Sequence, residues 1–171
     1  EKRLSKVRQR QIKKMRDILA KNPLYRNKAN LLFRIAEKEW DEAKYRYALA
    51  RADYEKRYEA FLNETLKVKP KEPEADYSKA LNEYQQLLKE FPNYRRIDEV
   101  MYYLGKGLIT AGKKRQGAAY MRKMFLAHPR SKYKTAAHLA VAEFYFDEDL
   151  LTLAKTQYIE VLKDKQSPQY P

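Results

Sequence analysis

All four glycines of this 171-residue chain lie between Gly105 and Gly117. A β-sandwich or a doubly wound α/β fold needs glycine at turns along its whole length. The residue types that fill the rest (Lys, Leu, Ala, Glu, Tyr, Arg) are mostly good helix formers. The expected class is all-α, with prolines in place of glycines as the main punctuation.

Leu4, Val7, Ile12, Met15, Ile18 and Leu19 recur at helical spacing and predict an amphipathic first helix that stops at Asn22-Pro23. A second helix is expected from Asn27, with Leu31, Leu32, Ile35, Ala36 and Trp40 as its stripe. Nothing punctuates Leu24 to Lys69, so it is expected to reach about Glu64. Pro70 to Asp76 reads as a linker, with Asp76 as a helix cap. Five shorter helices follow: one ending at Phe91-Pro92, then Arg96 to Ala111 with Gly112 closing it, Lys113 to Ala127, Tyr133 to Phe146, and Asp149 to about Lys163. That makes about seven helices on short loops, divided as residues 1–69 and 70–171.

The terminators repeat. Phe91-Pro92 and His128-Pro129 lie 37 residues apart, and Ser167-Pro168 follows 39 later. Ala80, Gly117 and Ala154 are also 37 apart, each with a large residue four further on (Tyr84, Met121, Tyr158). Leu104-Gly105 and Leu139-Ala140 are 35 apart. A small residue where helices cross lets backbones approach, a large one fills the groove beside it, and a proline ends the pair.

This pattern resembles the tetratricopeptide repeat. The resemblance covers Asp76 to Pro171, and a divergent pair around Ile35-Ala36 and Trp40. It implies a right-handed solenoid of helical pairs, with two and a half to three repeats in 70–171. The endings FPNY, HPRSKY and KQSPQYP and the longer period look like the repeat scaffolds of the Gram-negative envelope: outer-membrane assembly lipoproteins, the periplasmic Tol-Pal coordinator and gliding-motility scaffolds. The chain opens at Glu1 rather than Met and the repeat pattern runs to its end, so a longer protein whose array continues is expected.

The charge is uneven. Glu1 to Lys28 holds 11 basic and 2 acidic residues, a net +9, within a formal +14 for the chain. Asp98 to Thr135 holds 9 and 2, a net +7, and Ala136 to Pro171 is net −3. Lys113, Lys114, Arg115, Arg122, Lys123, Arg130, Lys132 and Lys134 form a candidate basic patch for an acidic partner protein, acidic polymers or membrane headgroups. The 15 tyrosines beside such charge allow a nucleic-acid reading, but Tyr77, Tyr84, Tyr103 and Tyr158 fall at core spacing.

Catalytic signatures are missing from the sequence. Cysteine is absent, and His128 and His138 have no partner at metal-ligand spacing. The four serines sit at caps or turns, Gly105-Lys106-Gly107 is too short for a phosphate loop, and Asp147 to Asp149 reads as a solvated cap. No cofactor is expected, and no stretch is long enough to span a membrane.

The expected function is that of a non-catalytic interaction scaffold, in the periplasm or on the periplasmic face of the outer membrane by resemblance, with the cytoplasm as the alternative. Partners would be other proteins of an envelope complex, docking in a groove formed by the first helices of the pairs. The expected groove residues are Tyr102, Lys106 and Ile109, then Lys134, Val141 and Tyr145 with Phe144, and Arg34 and Glu37 from the divergent pair. The alternative is a basic helical module for nucleic acid or acidic envelope polymers.

Overall fold

The computed structural model describes residues 1–165. Among them are seven helices and no strand: α1 (Lys2–Lys21), α2 (Lys28–Leu62), α3 (Ser78–Glu90), α4 (Ile97–Thr110), α5 (Lys114–Ala127), α6 (Lys134–Asp147) and α7 (Leu151–Leu162). Ser167-Pro168 and the KQSPQYP ending fall on residues outside those described, from Gln166 on. Two compact units divide the chain, Glu1–Glu83 and Tyr84 onward.

In the first unit α2 is one uninterrupted helix of 35 residues, roughly 50 Å long at about 1.5 Å per residue. Its buried residues all lie between Leu32 and Ala43. The segment after it returns alongside the exposed half: Arg51 pairs with Glu72, Lys69 lies 5.7 Å over the Tyr58 ring, and Tyr77 stacks on Trp40 at 4.2 Å. Asp76 then accepts the Ser78 amide at 2.9 Å, the cap expected for α3.

α1 packs on α2 through only half of the stripe read from the sequence, Ile12 with the half-buried Met15 and Leu19. Leu4, Val7 and Ile18 are exposed, while Ser5 and Ile12 are buried. The cause lies across the interface, where α2 presents Glu39 and Glu42. Glu42 accepts bonds from Ser5 (2.8 Å), Gln9 (2.9 Å) and Arg8 (3.2 Å), and Glu39 pairs with Arg16 at 3.0 Å. Two buried carboxylates turn the polar side of α1 inward.

The second unit is built on one period. α4 crosses α5 at Gly105 and Gly117, where a Cβ on Gly117 would meet the Gly105 carbonyl oxygen at 2.5 Å. α4 ends with Gly112 at φ 77°, its amide bonded to Ile109 O and the next amide to Leu108 O. α6 ends the same way 37 residues on, with Asp149 at φ 59° and bonds to Phe146 O and Tyr145 O. Asp149 is therefore a left-handed closing residue of α6; α7 has Leu150 at its N-cap and no side-chain cap.

The turn before α4 also recurs. Phe91, Tyr94 and Ile97 bond back to Leu87, Phe91 and Tyr94, and His128, Ser131 and Lys134 repeat the set 37 later. Asn22, Tyr25 and Lys28 make the same bonds 69 residues before α4. The proline second in each turn fixes its first corner. The turn sequences NPLYRN, FPNYRR and HPRSKY thus enter α2, α4 and α6 identically.

This sets the frame of α6 at 37, not at the 35 suggested by Leu139-Ala140. Leu104 and Gly105 correspond to Val141 and Ala142, all buried, and Leu108 to Tyr145. Met101 corresponds to His138, which is 6 % exposed, stacks on Phe125 at 3.9 Å and bonds Gln157 through Nδ1 at 2.8 Å.

Candidate partner-binding surface

The frame decides which predicted groove residues are available. Val141 is 0 % exposed and Tyr145 8 %, so both belong to the core, and their assignment to the groove is corrected. The two-residue shift had turned the buried stripe of α6 outward. Phe144 packs half-buried against the same core, and Lys134, equivalent to Ile97, is half-buried at the helix start. The outward positions of α6 are Leu139, Glu143 and Phe146, matching Tyr102, Lys106 and Ile109 of α4 at 37. Phe146 is 60 % exposed. Ile109 is half-buried and leans into the Gly117 crossing, which leaves the exposed Lys106 and one edge of the half-buried Tyr102 as the outward positions of α4.

The foot of this face is a tyrosine cluster that the sequence reading did not assemble. Tyr102 stacks on Tyr133 at 4.6 Å, Tyr103 meets Tyr133 edge-on at 5.9 Å, and Tyr84 stacks on Tyr103 at 6.1 Å. Beneath lies Glu99, 7 % exposed, held by both arms of Arg96 at 2.9 Å. Burial alone would raise the Glu99 carboxyl, but bonds from Arg96 and Tyr133 outweigh it and hold it below the ordinary range. Burial and the bond to Glu99 push the Tyr133 phenol far up, so it stays a donor. Burial, with Tyr103 beside it, also raises Tyr102. Ser131 anchors the turn by donating to Asp98 at 2.6 Å. These contacts fix the rings in place, and rigid aromatic surface loses little entropy on binding.

The residues of the expected basic patch differ in their surroundings. Lys113, Lys114, Arg115, Arg122, Lys123, Arg130 and Lys132 are all exposed. Lys114 is paired with Asp147 at 2.7 Å, and Lys132 lies 4.8 Å over the Tyr133 ring. Arg115, Arg122, Lys123 and Arg130 have no ion pair among the described residues. Lys113, Lys114 and Arg115 sit at the start of α5, whose first turn has no acid and no side-chain cap. Positive charge there opposes the helix dipole.

In the first unit Arg34 is exposed and Glu37 half-buried, at the α2 positions matching Tyr103 and Lys106. Gly105-Lys106-Gly107 lies inside α4, and Asp147 is taken by Lys114. Among the described residues no three His, Asp or Glu gather where a metal ion could be held, and no helix is long and apolar enough to cross a membrane. No protein family, curated protein or solved structure matches the chain.

Proposed function

We propose that this chain is a non-catalytic interaction scaffold of tetratricopeptide type that docks segments of partner proteins on the outward faces of α4 and α6. The observation that carries the reading is the pre-packed tyrosine cluster Tyr84, Tyr103, Tyr133 and Tyr102, leading to Lys106, Leu139, Glu143 and Phe146. The exact recurrence of the turns at 37 residues supports stacked pairs, since each pair leaves an apolar face for the next. The bacterial envelope as its setting rests on the resemblance of the turn sequences and period to repeat scaffolds found there.

The test is to compare the proteins that co-purify with the wild-type chain and with a Tyr102→Ala, Lys106→Glu, Phe146→Ala variant. The reading expects specific envelope proteins to be lost from the variant while its helicity is kept, with melting lowered only by the loss of the half-buried Tyr102 ring. An unchanged set of partners would overturn it.

The unpaired Arg115, Arg122, Lys123 and Arg130 favour a second reading, in which this face holds acidic polymers or anionic headgroups. That binding would fall steeply with salt and vanish on charge reversal of those four residues.

A further inference from the structure

A groove of about 450 Å³ opens beside the second helices of the pairs, between α3 and α5 over α4. Its apolar walls come from Leu88, Ile97, Met101 and Tyr120. Lys89 and Lys123 stand on its rim, and among the described residues no carboxylate lines it. A volume of this order accommodates several side chains, in the range of roughly 300–1,000 Å³ usual for ligand sites.

The 37-residue frame shows what this place looks like when it is filled. The counterparts of Leu88, Met101 and Tyr120 are Phe125, His138 and Gln157. There the Phe125 ring stacks on His138 at 3.9 Å and His138 bonds Gln157 at 2.8 Å, so the chain closes the space with its own side chains. Lys123 itself has Glu160 as its counterpart. At α3 and α5 the aromatic filler is replaced by Leu88, the polar pair by Met101 and Tyr120, and the acid by a cation.

From this contrast we infer that the α3–α5 groove is a second docking site, taking an acidic amphipathic helix of a partner protein. One or two apolar side chains of that helix occupy the space filled by Phe125 in the next pair. Its flanking Asp or Glu residues meet Lys89 and Lys123, with the unpaired Arg122 close by in sequence on α5. Methionine on the floor suits such a site because its flexible thioether adapts to the incoming side chain. This site goes beyond the α4–α6 reading and does not depend on it.

The probe is a displayed library of random 16-residue peptides, selected on the wild-type chain. Two variants follow: Leu88→Phe, which copies the filler, and Lys89→Glu with Lys123→Glu, which reverses the rim. Enriched peptides should carry net negative charge with apolar residues three or four apart. They should lose measurable binding to Leu88→Phe, whose melting temperature should equal or exceed the wild type. They should bind the reversed rim about tenfold more weakly. Peptides without an acidic bias, or ones that bind Leu88→Phe as well as wild type, would overturn the inference. Peptides lost only on Tyr102→Ala would also overturn it and leave the α4–α6 reading standing. Anionic vesicles displaced by Leu88→Phe, with no peptide enriched, would assign the groove to lipid and refute a peptide occupant.

Discussion

Individual side chains explain why helix ends and crossings take the residues they do. Asp149 closes α6 in the left-handed region, where Gly112 closes α4. An L-residue there costs about 1–2 kcal/mol, somewhat less for Asp. Asp149→Gly is therefore expected to raise stability by about 0.5–1 kcal/mol, read as a higher urea midpoint at constant slope. Gly117→Ala should do the opposite. Alanine improves helix propensity, but its Cβ would strike the Gly105 carbonyl oxygen, and overpacking costs about 1–3 kcal/mol. Glu42 carries a pH dependence. Burial pushes its carboxyl up, yet the bonds from Gln9, Ser5 and Arg8 win and hold it below its ordinary value. A carboxyl lowered in the fold stabilises fully above its unfolded pKa of about 4.3 and loses that contribution as pH falls through the folded value. Wild-type melting should fall more steeply below about pH 4 than that of Glu42→Gln, which should itself be weaker by about 2 kcal/mol at pH 7.

At the scale of elements, the start of α5 is poor by the rules of helix stability. Lys113 stands at its N-cap without a cap bond, and Arg115 follows in the first turn. Lys113→Asp should stabilise the chain by about 1 kcal/mol, measured by chemical melting, and should weaken any binding of anionic polymers. How far the elements were legible depended on their punctuation. Phe91-Pro92, His128-Pro129, Gly112 and Asp76 marked ends that the helices respect. The register of α6 was not legible, because the apolar pattern is broken at its true frame. His138 stands where Met101 does, and Leu139-Ala140 imitates Leu104-Gly105 two residues away. The packing face of α1 was half hidden for a related reason: beside Ile12 it is polar, made to meet Glu39 and Glu42, and apolar periodicity does not report that part of the interface. The tyrosine cluster was half visible. Tyr102 was singled out by its position, but Glu99 and Tyr133 join it only through the turn that carries Ser131.

For the whole molecule, the balance of charge separates the two readings of function. The formal charge is +14, and the unpaired cations of α5 and its flanking turn are exposed. Contacts to an acidic polymer should weaken sharply as salt shortens the screening length to about 8 Å near 0.15 M. Docking on the α4–α6 face, with Tyr102 and Phe146 contributing apolar area, should persist at that ionic strength. The most direct measurement is site-resolved photo-crosslinking in cells, with the reactive residue at Phe146 in one variant and at Arg115 in another. The scaffold account predicts discrete protein adducts from Phe146 and few from Arg115. Adducts confined to Arg115, or formed with nucleic acid, would contradict it and move the functional surface to the basic face of α5.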